Sequence, residues 1–196
     1  MSYQEYQELR GERSVLLPLQ MDHAEGLWEA GSAPEIWTYM RAGVNSLDEM
    51  KAWIAAALEE RDKTGSMPYA IADRSSGKLL GSTRVFDIQP AFRNGEIGHT
   101  WYSTSVWRTA VNTECKLVLM GHCFEELDYV RVQFKTDLRN ERSQKAIERL
   151  GAVKEGALRD HMILPNGYVR TSVYYSVVAR EWPQVKQRLQ GFLAKA

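Results

Sequence analysis

The sequence predicts an α+β fold in which helices cover both faces of one mixed, mostly antiparallel sheet. Most segments with strand-like alternation are joined by short turns, which is typical of antiparallel hairpins. One strand–helix–strand step, over 96–136, interrupts them and implies a parallel pair in the same sheet. A chain of 196 residues without a visible linker or repeat has the size of one domain. We therefore expect residues 1–196 to form a single domain.

The first part of the chain predicts one strand and two helices. The apolar run 15–19 predicts the strand, and 24–30 predicts a short helix. A stronger helix begins at Ser46, which forms an S-x-x-E capping box with Glu49 and so satisfies free N–H groups. We expect this helix to end near Gly65.

The rest of the chain alternates strands and helices. Its elements are predicted in this order: strands 69–72 and 79–88 around a turn at 74–78, a third strand 96–102, a long and largely apolar helix 109–127, a strand 130–136, a helix 140–150 closed by Gly151, two strands flanking a turn at 165–167, and a terminal helix from Glu181.

Composition excludes several classes of function. Hydrophobic residues make up 44% and charged residues 26%, as in globular proteins, so disorder is not the main state. Lys+Arg and Asp+Glu are 25 each, so no net positive charge favours generic nucleic-acid binding. The start of the chain is polar and no stretch approaches about 18 apolar residues, so we expect neither export nor a membrane span.

The two cysteines are expected to be reduced. Cys115 and Cys123 lie in one predicted helix, about 12 Å apart at 1.5 Å per residue, which is too far for a disulfide. Free thiols are typical of a cytoplasmic protein. The four histidines lack metal-ligand spacing, so no metal is expected.

The turn over 98–114 joins a strand to a helix, whose first N–H groups form a potential anion site. Four segments in and after this turn are distinctive enough to compare with known families. They are E-I-G at 96–98, W-x-x-x-V-N-T-E at 107–114, R-N-E-R-S-Q-K-A-I-E-R-L-G at 139–151, and G-Y-V-R-T-S-V-Y-Y-S at 167–176. With these segments the chain resembles the GNAT N-acetyltransferases, especially the branch that modifies ribosomal-protein N-termini. The resemblance implies that the pyrophosphate of acyl-CoA binds the N–H groups of this turn.

The turn departs from the family pattern Q/R-x-x-G-x-G/A. Trp107 occupies the first position, Ala110 the central glycine and Asn112 the last small residue. Alanine is tolerable if its φ stays negative, whereas Asn112 must turn its side chain outward. An ordinary helix start is the alternative interpretation of this segment.

The resemblance also implies the cofactor-binding residues. Arg108 could donate to phosphate oxygens, and the alternative is a solvated charge near the helix start. Arg142, Lys145 and Arg149 form a basic strip along the second helix. A backbone N–H near Trp101 or Tyr102, where the strand separates from its neighbour, is the expected oxyanion donor. The residues expected to bind the cofactor are Trp101, Tyr102, Ser103, Arg108, Thr109, Ala110, Val111, Asn112, Thr113, Asn140, Arg142, Ser143 and Lys145.

Two residues are expected to be catalytic. Glu96 is the expected base, acting directly or through water, because the equivalent glutamate has that role in the resembled branch. Ser143 is expected to protonate or hydrogen-bond the leaving thiolate, since Ile147 stands where the commoner pattern has a tyrosine. The alternatives are a Glu96 paired with an arginine, a Ser143 bonded to its own helix, and His99 as the base.

The expected reaction is acetyl transfer from acetyl-CoA to an amine. An α-amine has a pKa of about 8 and is partly neutral at pH 7, whereas a lysine amine at about 10.4 is not, so a modest base favours N-terminal or small amines. The alternative function is an acyl-CoA-binding module without turnover, which Ala110, Asn112 and Ile147 favour.

The terminal helix suggests a homodimer or larger assembly. Its apolar stripe of Trp182, Val185, Leu189 and Phe192 must be covered by some surface. The alternative is that the stripe docks within its own chain.

Overall fold

A computed structural model describes residues 6–40 and 43–196, so the first five residues of the polar N-terminal segment lie outside it. Eight strands form one sheet in the order β1-β2-β3-β4-β5-β6-β8-β7. Every neighbouring pair is antiparallel except β5 and β6, which confirms the mixed sheet. The strands are β1 (Leu9–Arg10), β2 (Ser14–Pro18), β3 (Met67–Asp73), β4 (Leu79–Gln89), β5 (Asn94–Tyr102), β6 (Arg131–Asp137), β7 (Val153–Ile163) and β8 (Val169–Val178).

Helices cover both faces, as predicted. The helices of the described residues are α1 (Ala24–Ala30), α2 (Leu47–Thr64), α3 (Val111–Gly121), α4 (Glu141–Leu150) and α5 (Trp182–Leu193). One apolar core joins α1 and α2 to the sheet, and a second joins α3, α4 and α5 to it. No helix of the described ranges is long and apolar enough to cross a membrane.

Local capping signals set the helix ends close to their predicted places. The Ser46 hydroxyl accepts the N–H of Glu49 at 3.1 Å, and Gly65 ends α2 with a φ of 73°. The Glu49 carboxylate accepts the N–H of Asn45 at 2.6 Å, one residue earlier than in a reciprocal capping box. Gly151 ends α4 with a φ of 104°. Such turns need glycine because a side chain is strained there.

Three local features differ from the sequence prediction. The strand β1 was not predicted, because two residues are too short to show a period. The predicted helix 109–127 begins at Val111, and its end at His122–Glu126 is π-helical, with Leu127 N–H donating to His122 O at 3.0 Å. The strand β5 begins at Asn94, two residues early.

Both cysteines are free and buried, which confirms that they do not form a disulfide. Burial raises the pKa of the Cys115 thiol to about 11 and that of Cys123 to about 12. Neither thiol is therefore a nucleophile at neutral pH.

The apolar stripe of α5 is covered within its own chain. Trp182, Val185 and Leu189 are buried in the same core as α3. Trp182 stacks on Phe124 with ring centroids 5.3 Å apart, and its Nε1 donates to Glu125 at 2.6 Å. Intramolecular docking was the alternative interpretation, so the stripe no longer requires a partner, and the homodimer stays a prediction.

Glu114 ties the start of β2 to α3. Its carboxylate accepts the backbone N–H groups of Glu12, Arg13 and Ser14 and the Ser14 hydroxyl at 2.6–3.1 Å. A Cβ on Gly11 would lie 2.6 Å from the Glu114 carboxyl carbon, so only glycine fits beside it. This glutamate of the V-N-T-E motif therefore organises the fold.

Candidate active site

A cleft opens where the parallel strands β5 and β6 separate. They pair only over 94–96 and 131–133 and then diverge. The gap is a cleft of about 770 Å³, lined by β5, β6, the first turns of α3 and the length of α4. It is the size of a small-molecule site.

A bulge in β5 shapes one wall of the cleft. Ser82 and Arg84 of β4 pair with Trp101 and Gly98 of β5, so β5 carries one extra residue there. His99 lies in this bulge with a φ of 49°. A bulge bends its strand and changes the direction of its backbone groups. This bulge lies two residues before Trp101, near which the oxyanion donor is predicted.

Glu96 lies at the point of divergence and is 2% exposed. Its Oε2 accepts a hydrogen bond from Gln133 Nε2 at 2.8 Å and an ion pair from Lys135 Nζ at 3.2 Å. Within the described residues, Oε1 has no hydrogen bond. The partner is a lysine and not the arginine of the alternative interpretation, and Glu96 lines the cleft.

The surroundings of Glu96 are aromatic. The Lys135 ammonium lies 5.6 Å from the ring centre of Tyr174 and 5.9 Å from that of Phe86. His99, the alternative base, also lines the cleft, and its ring packs edge-on against Phe86 at 4.9 Å.

Trp101 closes the cleft on its α2 side. Its ring lies 5.1 Å from that of Trp37 and 6.2 Å from that of Trp53. Its Nε1 is buried and has no hydrogen-bond partner in the described ranges. It is therefore a buried donor without a partner among these residues.

The start of α3 has the backbone geometry that the sequence analysis required. Ala110 has a φ of −68°, so its methyl group causes no strain, and it supplies no side-chain cap. Arg108 takes the left-handed conformation, with a φ of 64°. A second hollow of about 450 Å³ adjoins this turn and is lined by Arg13, Arg108 and Arg149 among others.

The α4 side supplies polar groups and a stacked arginine. Asn140 caps α4 by accepting the Ser143 N–H at 3.0 Å, and Ser143 lines the cleft. The Arg142 guanidinium lies 3.9 Å from the ring centre of Trp107, and Arg149 donates to Thr113 Oγ1 at 2.8 Å. Ile147 is buried beside them.

The structure brings most of the predicted residues together. The cleft is lined by Glu96, Trp101, Tyr102, Arg108, Thr109, Asn112, Thr113, Asn140, Arg142 and Ser143, and Ala110 and Val111 line the smaller hollow. Two predicted residues lie outside both linings. Lys145 is exposed and pairs with Glu141 at 3.7 Å, and the Ser103 hydroxyl lies 2.9 Å from that of Ser105.

Sequence analysis missed two lysines of the cleft. Lys135 holds Glu96, and Lys116 is buried on α3, where its Nζ donates to Thr83 Oγ1 at 3.0 Å and to Thr100 Oγ1 at 2.7 Å. A lysine within the apolar stretch of α3 was the available signal. No group of three or more His, Cys, Asp and Glu in the described part of the chain could hold a metal ion.

Comparison with known proteins identifies the family. Residues 13–153 match the family described as Acetyltransferase (GNAT) domain. The chain therefore belongs to the GNAT acetyltransferases. Members of this family transfer an acetyl group from acetyl-CoA to an amine, so membership places the chain in the class of acetyl-CoA-dependent acyltransferases.

Three similar proteins illustrate the relationship. The protein YdaF of Bacillus subtilis (strain 168) is named as a provisional ribosomal N-acetyltransferase. It is 33% identical over 106 residues, which cover 54% of this chain and 57% of YdaF. A crystal structure from T. thermophilus, provisionally described as an acetyltransferase, is 35% identical with a TM-score of 0.87, covering 95% of this chain and 97% of that one. Mycobacterium smegmatis RimJ, solved with CoA-disulfide, has a TM-score of 0.76 at 20% identity, covering 94% of this chain and 92% of that one, and shows the fold alone.

The residues present fit acetyl-CoA. At the start of α3 the N-cap residue Ala110 supplies no side-chain cap, and the Val111 N–H makes only a 3.4 Å bond to Thr109 Oγ1, so the N–H groups after it offer donors to a phosphate. Arg13, Arg108 and Arg149 add positive charge beside them. When bound, acetyl-CoA supplies the activated acetyl group.

Proposed function

We propose that this protein acetylates the α-amine of a protein N-terminus, with acetyl-CoA as donor. The observation that carries the proposal is the Glu96 carboxylate, which lines the cleft where β5 leaves β6, is oriented through Oε2 by Gln133 and Lys135, and has no hydrogen bond at Oε1 among the described residues. An acceptor amine entering the cleft must lose a proton, and this oxygen can take it directly or through one water.

The donor half of the cleft supports the same reaction. In this proposal the N–H groups of the first turn of α3, with Arg108, bind the pyrophosphate, and Asn140 and Arg142 line the same cleft as Glu96. A backbone N–H at the β5 bulge, near Trp101 and Tyr102, stabilises the oxyanion. Ser143 donates a hydrogen bond to the departing sulfur.

The preference for an α-amine has two supports. An α-amine has a pKa near 8, so a carboxylate base can complete its deprotonation far more easily than that of a lysine. The similar protein YdaF carries a ribosomal N-acetyltransferase name. A ribosomal protein is therefore the first acceptor to test.

The alternative, a binding module without turnover, depends on the degenerate turn and on Ile147. The negative φ of Ala110 weakens one argument for it, because alanine takes this backbone conformation without strain. The alternative still predicts CoA binding, so turnover separates the two functions.

The experiment follows CoA thiol release with two matched peptides. One has a free N-terminus and no lysine, and the other has a blocked N-terminus and one lysine. We expect release with the first peptide and little with the second. Release with the lysine peptide alone would contradict the α-amine proposal, and no release with any amine, despite CoA binding, would establish the binding module.

CoA binding itself is measured by thermal unfolding. At one hundred times its Kd, CoA should add about 2.7 kcal/mol to the free energy of unfolding and so raise the Tm. No shift at millimolar CoA would contradict both functions.

Two further properties are proposals. The buried free thiols fit a reducing compartment, so we place the protein in the cytoplasm. Light scattering at micromolar concentration tests whether the protein is a homodimer. A measured mass equal to that of the monomer would contradict this prediction.

A further inference from the structure

The cleft contains a buried ammonium group that has no part in the proposed proton abstraction or in the proposed phosphate binding. Lys116 projects from α3, is 5% exposed and lines the cleft. Its Nζ donates to the hydroxyls of Thr83 and Thr100, which are 2.8 Å from each other. Thr100 lies in β5 between the bulge residue His99 and Trp101, so the ammonium lies against the bulged wall of the cleft.

No carboxylate neutralises this charge. Within the described residues, Lys116 has no acidic group within 4.0 Å, and both hydrogen bonds go to neutral hydroxyls. Lys135 in the same cleft pairs with Glu96, and Arg142 stacks on Trp107. An ammonium has three N–H groups, so one donor of Lys116 is left without a partner among the described residues.

Lys116 has a lower pKa than the buried titratable groups beside it, so it gives up its proton more easily than they do. Burial raises the pKa of Cys115 to about 11, that of Cys123 to about 12 and that of Tyr102 well above its usual value. Burial lowers the pKa of Lys116 to about 8. An acid works best when its pKa lies near the operating pH, and this value also lies close to that of a thiol.

The opposite wall offers no comparable acid. Ile147 is apolar, and the Ser143 hydroxyl can donate a hydrogen bond but is not among the side chains that commonly serve as general acids. We propose that Lys116 is the general acid of acetyl transfer and that its ammonium faces the thioester sulfur. This inference rests on the acetyl transfer proposed above.

The proton and electron balance is complete. The amine nitrogen bonds to the carbonyl carbon, the carbon–sulfur bond breaks, and its electron pair goes to sulfur. One proton moves from Lys116 Nζ to sulfur and gives CoA thiol and a neutral lysine. The proton that the amine nitrogen loses passes to Glu96, and solvent restores both groups.

The first test needs no turnover. The ultraviolet absorbance of the CoA thiolate is followed against pH in complexes of the wild type and of Lys116→Met, with desulfo-CoA complexes as blanks. A cation beside the thiol lowers its pKa, so bound CoA should ionise at least about one pH unit lower in the wild type than in Lys116→Met. Lys63→Met, which removes an exposed lysine from the end of α2, should match the wild type. Equal midpoints in all three complexes would overturn the proposal.

The second test separates proton donation from charge. Lys116→Arg keeps a positive charge but cannot release a proton near neutral pH, so it should keep the low thiol pKa yet lose at least tenfold in kcat. Its KM for acetyl-CoA should stay within about threefold of the wild type. A wild-type kcat in Lys116→Arg would overturn the acid role. If the wild type acetylates no amine, acetyl transfer itself fails, and the thiol titration still reports whether Lys116 faces the sulfur.

Discussion

Two buried glutamates, Glu96 and Glu114, lie on consecutive elements and differ in how many bonds their oxygens make. Each is 2% exposed. Both Glu114 oxygens accept N–H or O–H donors, from Glu12, Arg13 and Ser14. Glu96 is held through Oε2 alone, by Gln133 and Lys135.

The difference teaches that burial by itself does not indicate function. Glu114 lines neither the cleft nor the smaller hollow, and a proton on either of its oxygens would displace donors that hold β2 to α3, so it stabilises the fold. The Oε1 of Glu96 can accept a proton while Oε2 keeps the side chain in place. A glutamate whose side chain is held by hydrogen bonds on one oxygen, while the other oxygen makes none, is suited to acid–base chemistry.

The largest expected effect on stability belongs to Glu114. In Glu114→Gln the amide NH2 would face backbone N–H donors, so we expect the free energy of unfolding to fall by about 3–5 kcal/mol. Urea denaturation measures the loss. Glu59→Gln, at an exposed site on α2, should change stability by less than about 0.5 kcal/mol. If Glu114→Gln were as stable as the wild type, the claim that Glu114 stabilises the fold would be wrong.

Lys116 extends the comparison to a buried cation. Its pKa of about 8 in the folded protein lies below the ordinary lysine value of 10.5, so the unfolded chain binds more protons between these pH values. The cost of burying the charge is complete below pH 8 and disappears as the pH rises toward 10.5.

We therefore expect Lys116→Met to raise the free energy of unfolding at pH 7 by about 1–2 kcal/mol after loss of the threonine hydrogen bonds. The advantage should shrink across that pH window in urea titrations. A gain in stability together with a loss of turnover would mark a group retained for function. A variant that is less stable at every pH would assign Lys116 to the scaffold.

The smallest expected effect is that of Ser143. If its hydroxyl bonds the departing sulfur, Ser143→Ala should lower kcat about tenfold, or about 1.4 kcal/mol, with the Kd of CoA within about threefold. Steady-state kinetics and calorimetry measure the two values. Equal losses in kcat and affinity would make Ser143 a cofactor-binding residue, and no loss in either would assign it to packing.

Sequence analysis succeeded where structure depends on neighbours within one helical turn. Ser46, Gly65 and Gly151 set helix ends close to the predicted positions because a cap contacts its own backbone. The resemblance to GNAT enzymes supplied Glu96, which no local pattern could have singled out.

Sequence analysis did not predict contacts between distant segments. The bonds of Glu114 reach residues about 100 positions earlier, and Lys116 reaches Thr83 across 33 positions. Both glutamates belong to motifs of the resemblance, E-I-G and V-N-T-E, so the motifs alone do not separate the catalytic candidate from the structural residue. The bonds on each oxygen separate them, and so does the cleft, which Glu96 lines and Glu114 does not.

The central claim is tested most directly by the kcat/KM of Glu96→Gln for an N-terminal peptide, measured across pH 6–9 beside the CoA-induced rise in Tm. The substitution keeps the shape and removes the proton acceptor, so kcat/KM should fall about 10²–10⁴-fold while the Tm shift with CoA stays that of the wild type. A wild-type rate throughout that pH range would contradict the assignment of Glu96 as the base.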